Sequence, residues 1–345
     1  MKAQGTDRPA ACLEYYSQIE SPPAKALAWC REGSYIKWKS SLPENASFGE
    51  LNIFTACLGD RTKPAVVIIH GYPTSSYDFH ALATLLRGSA CVCVLDMPGH
   101  GFSDKPRNGY RYSLFDDARL VDYYLREVAD LKDFTLLTHD RGDSVGLALL
   151  QMYQGNGIRP YRINHLIITN GNVYLPLAKL SMGQKLLLNP VSGQLFSSML
   201  TGSRMAHSMA ETVYTPRLTE DEVVAVGSIL DYQDGCRIQH SLIQYLNERK
   251  VNEVAWLQEL SRSDVPTTLI WGELDPIAPT TVADYVWVNY LRNRKTPARY
   301  WRLPCANHYL QVDQPEVLSA LVKSEIGGTD SLDTVKPACL PYTVK

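Results

Sequence analysis

The sequence predicts an α/β protein, a mostly parallel sheet flanked by helices and interrupted by a helical insertion after the sixth strand. Three observations carry this. Short apolar runs alternate with stretches of helical spacing, the pattern of parallel strands joined by right-handed crossovers. The alternation stops over residues 172–262, where only helical periodicity remains, and then resumes. The apolar runs end in turns rich in Gly, Pro, Asp and His, and open parallel sheets bind ligands beyond the carboxyl ends of their strands.

Residues 1–33 are mixed and polar, with Pro22-Pro23, and read as an N-terminal extension that is irregular or partly helical. The first part of the core spans 34–171. Residues 35–38 and 49–58 read as an antiparallel opening, followed by a turn at 59–64. Residues 65–69 and 91–95 are buried strands, with a helix starting near Asp78 between them. A helix over 114–128 leads to a strand at 134–137, a helix at 145–153 and a strand at 163–169. Within 172–262, residues 175–200, 219–232 and 238–247 have helical periodicity, broken at Pro190, Gly193 and Pro216. That span is too long for a plain loop and predicts a cap over the active site. The second part of the core, 263–327, holds strands at 267–271 and 298–303 and a last helix at 316–323. Residues 328–345 read as a polar, mobile tail.

A chain of 345 residues, 45% hydrophobic and 20% charged, has material for one large domain or slightly more. The net charge is −2, with no basic block, so nothing points to nucleic acid or to a membrane. The N-terminus lacks the apolar core of a signal peptide, and no apolar run reaches transmembrane length. The expectation is a cytoplasmic protein that meets a small-molecule substrate and needs no cofactor. Eight scattered cysteines show no metal-ligand spacing, so no metal is expected. Reduced, mostly buried thiols are the reading that fits a cytosolic chain.

The chain is organised around residues 134–146: a strand, a sharp turn and a helix, the setting of a nucleophile elbow. Two nucleophiles compete there. Gly142-Asp-Ser144-Val-Gly146 is a literal G-x-S-x-G, whereas Thr138-His-Asp140-Arg-Gly142 is the same turn with a carboxylate at its tip. The apolar run ends at Leu137. For Ser144 to stand at the tip, Thr138, His139, Asp140 and Arg141 would have to continue a strand buried on both faces. Such strands are near-continuous apolar runs. Asp140 is therefore read as the nucleophile. Ser144 then falls in the first turn of the helix, where serine more often bonds backbone than attacks substrate.

Asp140, Asp275 and His308 each follow an apolar strand, in the order nucleophile, acid, histidine. Singly each has a bland explanation, since Asp before Pro makes turns and a lone His hydrogen-bonds. In this order, with a helical insertion before the acid, they read as a catalytic triad. Around them stand His70-Gly-Tyr-Pro-Thr-Ser-Ser76, Asp96-Met-Pro-Gly-His-Gly-Phe-Ser-Asp-Lys-Pro106, Trp271-Gly-Glu-Leu-Asp275-Pro276 and Asn307-His308-Tyr309. With these motifs, residues 65–322 resemble the aspartate-nucleophile branch of the α/β-hydrolase fold, the haloalkane dehalogenase and epoxide hydrolase family. Residues 241–250 and the pair Asn170-Gly171 also resemble the mesoderm-specific transcript proteins.

The resemblance implies covalent catalysis in two steps. Asp140 attacks an sp3 carbon to form an alkyl ester, and His308, oriented by Asp275, takes a proton from the water that hydrolyses it. It also implies an oxyanion hole made by the backbone N–H groups of Tyr72 and Arg141. Haloalkane dehalogenases carry Trp directly after the nucleophile. Arg141 stands there, and no Trp lies between Trp38 and Trp256, so dehalogenation ranks second. Arg141 resembles the first of two substrate-carboxylate arginines in fluoroacetate dehalogenases, but Ser144 replaces the second. Its side chain either grips a substrate or pairs with Asp143 or a cap carboxylate. Epoxide hydrolysis ranks first because it needs only hydroxyl donors on the cap. The resemblance places Tyr245 as one such donor. Tyr214, just before Thr215-Pro216, is read as the second, and Tyr174 also lies on the cap. His80, His100 and His139 are read as structural. The rival readings are a serine esterase acting through Ser144 and a binding protein on the hydrolase scaffold.

Overall fold

The computed structural model describes residues 11–155, 157, 159–216, 218–327 and 339–345. Two helices lead, α1 (Ala11–Ser17) and α2 (Ala24–Glu32), followed by β1 (Gly33–Lys39) and β2 (Glu50–Leu58). The alternating region is β3 (Ala65–Ile69), α3 (His80–Leu86), β4 (Cys91–Leu95), α4 (Leu114–Tyr123), β5 (Asp133–His139), α5 (Arg141–Gly155) and β6 (Arg162–Thr169). The insertion then contributes α6 (Met182–Leu188), α7 (Ser192–Ser198), α8 (Gly202–Thr212), α9 (Glu220–Asp231), α10 (Gln239–Leu242) and α11 (Tyr245–Arg262). The chain closes with β7 (Thr267–Gly272), α12 (Thr280–Val286), β8 (Ala298–Leu303), α13 (Leu310–Asp313), α14 (Pro315–Glu325) and β9 (Tyr342–Thr343).

One sheet runs in the order β1-β2-β4-β3-β5-β6-β7-β8-β9. Strands β4, β3, β5, β6, β7 and β8 are mutually parallel, while β1, β2 and β9 add antiparallel edges. Every residue of β3, β4 and β7 is buried, which explains the unbroken apolar runs of β3 and β4. Alternate residues of β3 feed two cores. Val67 and Ile69 join the side formed by α4, α5 and α11, and Val66 and Ile68 join the side formed by α3 and α14. Burying each such side chain contributes about 1.5–3 kcal/mol.

Four expectations are corrected. First, β5 continues two residues past Leu137. Polar ends fit there because Thr138 Oγ1 donates to Ile167 O and Thr169 Oγ1 donates to Thr138 O, so β6 satisfies them. Second, the last helical stretch of the insertion is two helices, and α11 runs on to Arg262 beside α5, where Trp256 Nε1 donates to Gln151 Oε1 at 3.1 Å. Third, the part of the tail that is described, 339–345, is tied down. β9 pairs with β8, and Cys339 is bonded to Cys305; residues 328–338 of that tail lie outside the described residues. Fourth, the thiols are mostly paired. Cys12–Cys30 joins α1 to α2, and Cys57–Cys93 joins facing residues of β2 and β4, leaving Cys91 and Cys236 free and buried. Paired thiols belong to oxidising compartments, so thiol state lends the cytoplasmic expectation no support. No helix among the described residues is long and apolar enough to cross a membrane.

Candidate active site

β5 ends at His139 and α5 begins at Arg141, so the elbow is the single residue Asp140. Its φ of 51° lies in the left-handed region, which costs a residue with a side chain about 1 kcal/mol or more. Both flanks hold the turn. Asp140 N–H donates to Thr169 O at 3.2 Å, and Gly142 lets α5 close on the end of β3, where a Cβ would stand 2.4 Å from Ile69 O. The carboxylate is thereby aimed at the loop after β3, and Tyr72 N–H donates to its Oδ1 at 2.9 Å. Arg141 opens α5, so its N–H is among those a helix leaves unpaired.

His308 follows β8. Its Nε2 stands 3.7 Å from Asp140 Oδ2, and its Nδ1–H donates to Asp275 Oδ2 at 2.8 Å. Asp275 follows β7 and is held from every side. Its Oδ1 accepts from Ile277 and Ala278 N–H at 2.7 and 2.9 Å, and its Oδ2 accepts from Asn170 Nδ2 at 2.7 Å. Asn170 also accepts from Gly272 N–H, so one amide links the ends of β6 and β7 to Asp275.

Asp140, Asp275 and His308 are all buried. Burial opposes the His308 imidazolium, but the Asp275 and Asp140 carboxylates outweigh it and push its pKa up to about 9. Burial also opposes charge on Asp275, yet His308, Asn170 and the Ala278 N–H hold it below the usual carboxylate range. Asp143, in the first turn of α5, is pushed well above that range by burial, which favours its neutral form beside Asp140. The arrangement can deliver a carboxylate to an electrophile, with an imidazole placed to activate a water against the resulting ester.

The remaining expected residues are less uniformly gathered. The buried Arg141 guanidinium pairs with Asp117 of α4, not with Asp143 or a carboxylate of the insertion. The Tyr245 ring lies 5.7 Å from that of Tyr72, with the Arg141 and Arg249 guanidiniums 5.5 and 4.9 Å from its centre. Tyr214 stacks on Tyr309 at 4.6 Å, one residue beyond the catalytic histidine candidate. Tyr174 stacks on Tyr285 at 4.0 Å, and none of Tyr174, Tyr214 and Tyr245 is among the residues that line the cavity beside His308. Ser144 is wholly buried, and its Oγ accepts from Arg249 Nε at 2.6 Å. Arg249 Nη2 also donates to Asp140 O at 3.1 Å. Neither Arg249 nor Asn170 belongs to a sequence motif of known chemistry; both lie in stretches that resemble the mesoderm-specific transcript proteins. His80, His100 and His139 each bond to a backbone carbonyl through Nδ1, and His70 Nε2 accepts from Met97 N–H. A cavity of about 590 Å³ opens on His308 and Tyr72, walled by Leu187, Phe196, Met205 and Met209 of the insertion.

The family model described as "alpha/beta hydrolase fold" matches residues 64–315. The protein LipZ of Mycobacterium tuberculosis, named a hydrolase, is 34% identical over 260 residues, 75% of this chain and 86% of that one. The mesoderm-specific transcript protein of Mus musculus is 35% identical over 222 residues, 62% of this chain and 65% of that one. The crystal structure of haloalkane dehalogenase DbeA from Bradyrhizobium elkani superposes with a TM-score of 0.67. It covers 86% of this chain and 98% of its own at 18% identity, a likeness of fold.

Proposed function

The chain belongs to the α/β-hydrolase fold family, and from that premise we propose that this enzyme hydrolyses epoxides through an alkyl ester on Asp140. The observation that carries the reading is how the elbow carboxylate is held. One oxygen meets the Tyr72 N–H, and the other faces an imidazole backed by Asp275. Ser144 lacks that setting, because its hydroxyl is engaged by Arg249.

In the first step an Asp140 oxygen attacks a ring carbon, the carbon–oxygen bond opens, and the ring oxygen takes a proton. Tyr245, packed against Tyr72 beside the elbow, is the donor we assign, with the buried and unpartnered Tyr72 hydroxyl as the second. Tyr214 and Tyr174 are not needed for this role. In the second step water attacks the ester carbonyl, His308 takes its proton, and the Tyr72 and Arg141 N–H groups stabilise the oxyanion. The ester removes the Asp140 charge that helps raise the His308 pKa, which frees the imidazole to act as a base. The proton that His308 gives up when the ester forms returns through solvent to the tyrosine, the diol leaves and the carboxylate is restored. No tryptophan lines the cavity to receive a halide, which keeps dehalogenation second.

The test is trapping. His308→Gln, incubated with epoxides of increasing chain length, should gain the mass of one substrate, located by peptide mapping on Asp140. An absence of adduct with every epoxide would sink the proposal. So would full turnover by Asp140→Asn alongside an inactive Ser144→Ala.

A further inference from the structure

The first two helices of the insertion turn an apolar face to solvent. Met182 and Leu186 in α6, and Leu195 and Met199 at the end of α7, stand four residues apart and so share a side of each helix, with Val191 at the bend. Val191 is 87% exposed, Met182 71%, Leu195 68% and Met199 62%. The hairpin is nevertheless well built. Ser181 and Gln184 form a capping box at the start of α6, and Asn189 Oδ1 accepts from Val191 and Ser192 N–H at 2.9 and 3.1 Å. Gly193 meets the end of α6 so closely that a Cβ would stand 2.3 Å from Leu187 O.

The inner side of the same hairpin, with Gly183, Leu187, Phe196 and Leu200, walls the cavity that reaches His308. Charge there is one-sided. The chain has 36 acidic residues, yet none lies within 144–210; Lys185 is exposed on α6, Lys179 and Arg204 stand at the cavity, and Asp231 and Asp234 come up beside Leu200 and Thr201 past the end of α7. The overall charge of −2 averages this segment away, which is why composition pointed away from a membrane.

A cluster of exposed apolar side chains marks an interaction surface. One with basic residues beside it and no carboxylate of its own suits the headgroup zone of an anionic bilayer. We propose that the α6–α7 hairpin seats the enzyme on an anionic lipid surface, and that the cavity behind it takes a long-chain, membrane-dissolved substrate from that surface. The same helices form the outer face and the cavity wall, so an alkyl chain passes from bilayer to cavity without crossing water. That continuity favours lipid over a protein partner. The substrate half rests on the hydrolase reading above; the surface half does not.

The test is co-sedimentation of the full chain with vesicles of phosphatidylcholine, with and without phosphatidylglycerol. Wild type and Asp140→Asn should bind the anionic vesicles equally, and about tenfold or more tighter than neutral ones. Replacing Met182, Val191, Leu195 and Met199 together by Ser, none of which lines the cavity, should weaken binding about tenfold or more. That variant should keep its activity on a short, water-soluble epoxide and lose activity on a long-chain epoxide presented in vesicles. Equal binding to both vesicles, or undiminished binding by the variant, overturns the surface. So does sedimentation equilibrium showing that the substitutions turn a dimer into a monomer, since the face would then close on a second copy. Vesicle binding without turnover of any long-chain epoxide overturns the substrate half alone.

Discussion

His308 works between two carboxylates, and its titration depends on which of them is charged. With both ionised its pKa stands at about 9, so the resting enzyme is protonated there at neutral pH. An ester on Asp140 removes one attraction and the value falls. In single-turnover experiments ester hydrolysis should therefore rise with pH and level off below pH 9, while formation of the ester should not track that curve. Asp275→Asn removes the larger attraction. It should move the hydrolysis profile to lower pH and slow the step about a hundredfold or more; an unmoved profile would contradict the assignment. The same shift bears on stability. Because the folded pKa lies above the ordinary 6.5, the stabilisation is full below that value and is lost as pH rises through about 9. At about 1.4 kcal/mol per pH unit this amounts to about 3 kcal/mol. Urea unfolding of His308→Gln should lose correspondingly less stability than wild type between pH 6.5 and 9.5. Asp78 and Asp313, raised by burial to about 8 and about 7, titrate in or near the same window and feel the His308 charge, so the comparison is made with both replaced by Asn.

At the scale of elements, α11 braces the elbow. Arg249 stands one turn after Tyr245, and its guanidinium holds the carbonyl of Asp140 and the hydroxyl of Ser144. Glu248 beside it accepts from Ser113 Oγ and Leu114 N–H at the start of α4, and Glu253 accepts from Leu175 N–H where the insertion begins. Arg249→Met leaves the buried Ser144 hydroxyl without its donor and Asp140 O with the Asp143 N–H alone, at a cost of about 1–3 kcal/mol by urea unfolding. It should also lower kcat more than it raises KM, with Arg249→Lys recovering part of the loss. A methionine variant with wild-type stability and kcat would show that the elbow holds itself. The elbow's position was legible because one apolar run and one polar turn fix it. Its brace was not, because Arg249 lies 105 and 109 residues from its partners and an arginine on a helix normally reads as surface. The proton donors were only half legible for a related reason. Tyrosine content marks the insertion, but packing decides that Tyr245 meets Tyr72 while Tyr174 turns to Tyr285.

Across the whole molecule, the succession of strands along the chain was legible in hydrophobic patterning, with Asp140, Asp275 and His308 in the turns that follow them, whereas the order of the strands within the sheet was not. The covalent framework did not. Three disulfides join residues 18, 36 and 34 positions apart, and scattered cysteines look the same in sequence whether paired or free. Pairing is decided by register, as where β2 sets Cys57 opposite Cys93 of β4. The third disulfide reaches the site, because Cys305 stands three residues before His308 and carries the C-terminal strand with it. Denatured without reductant, the protein should alkylate at two thiols, Cys91 and Cys236, and at all eight after reduction. Eight reactive thiols without reductant would restore the reading of a reduced chain. Replacing Cys305 and Cys339 together by Ser opens a loop of 34 residues and should cost about 2–4 kcal/mol in urea unfolding. If the tie also steadies the loop that presents His308, the same variant should hydrolyse a trapped ester more slowly at an unchanged rate of ester formation. Asp140 is held by β5, β6 and the Tyr72 N–H, none of which the disulfide touches.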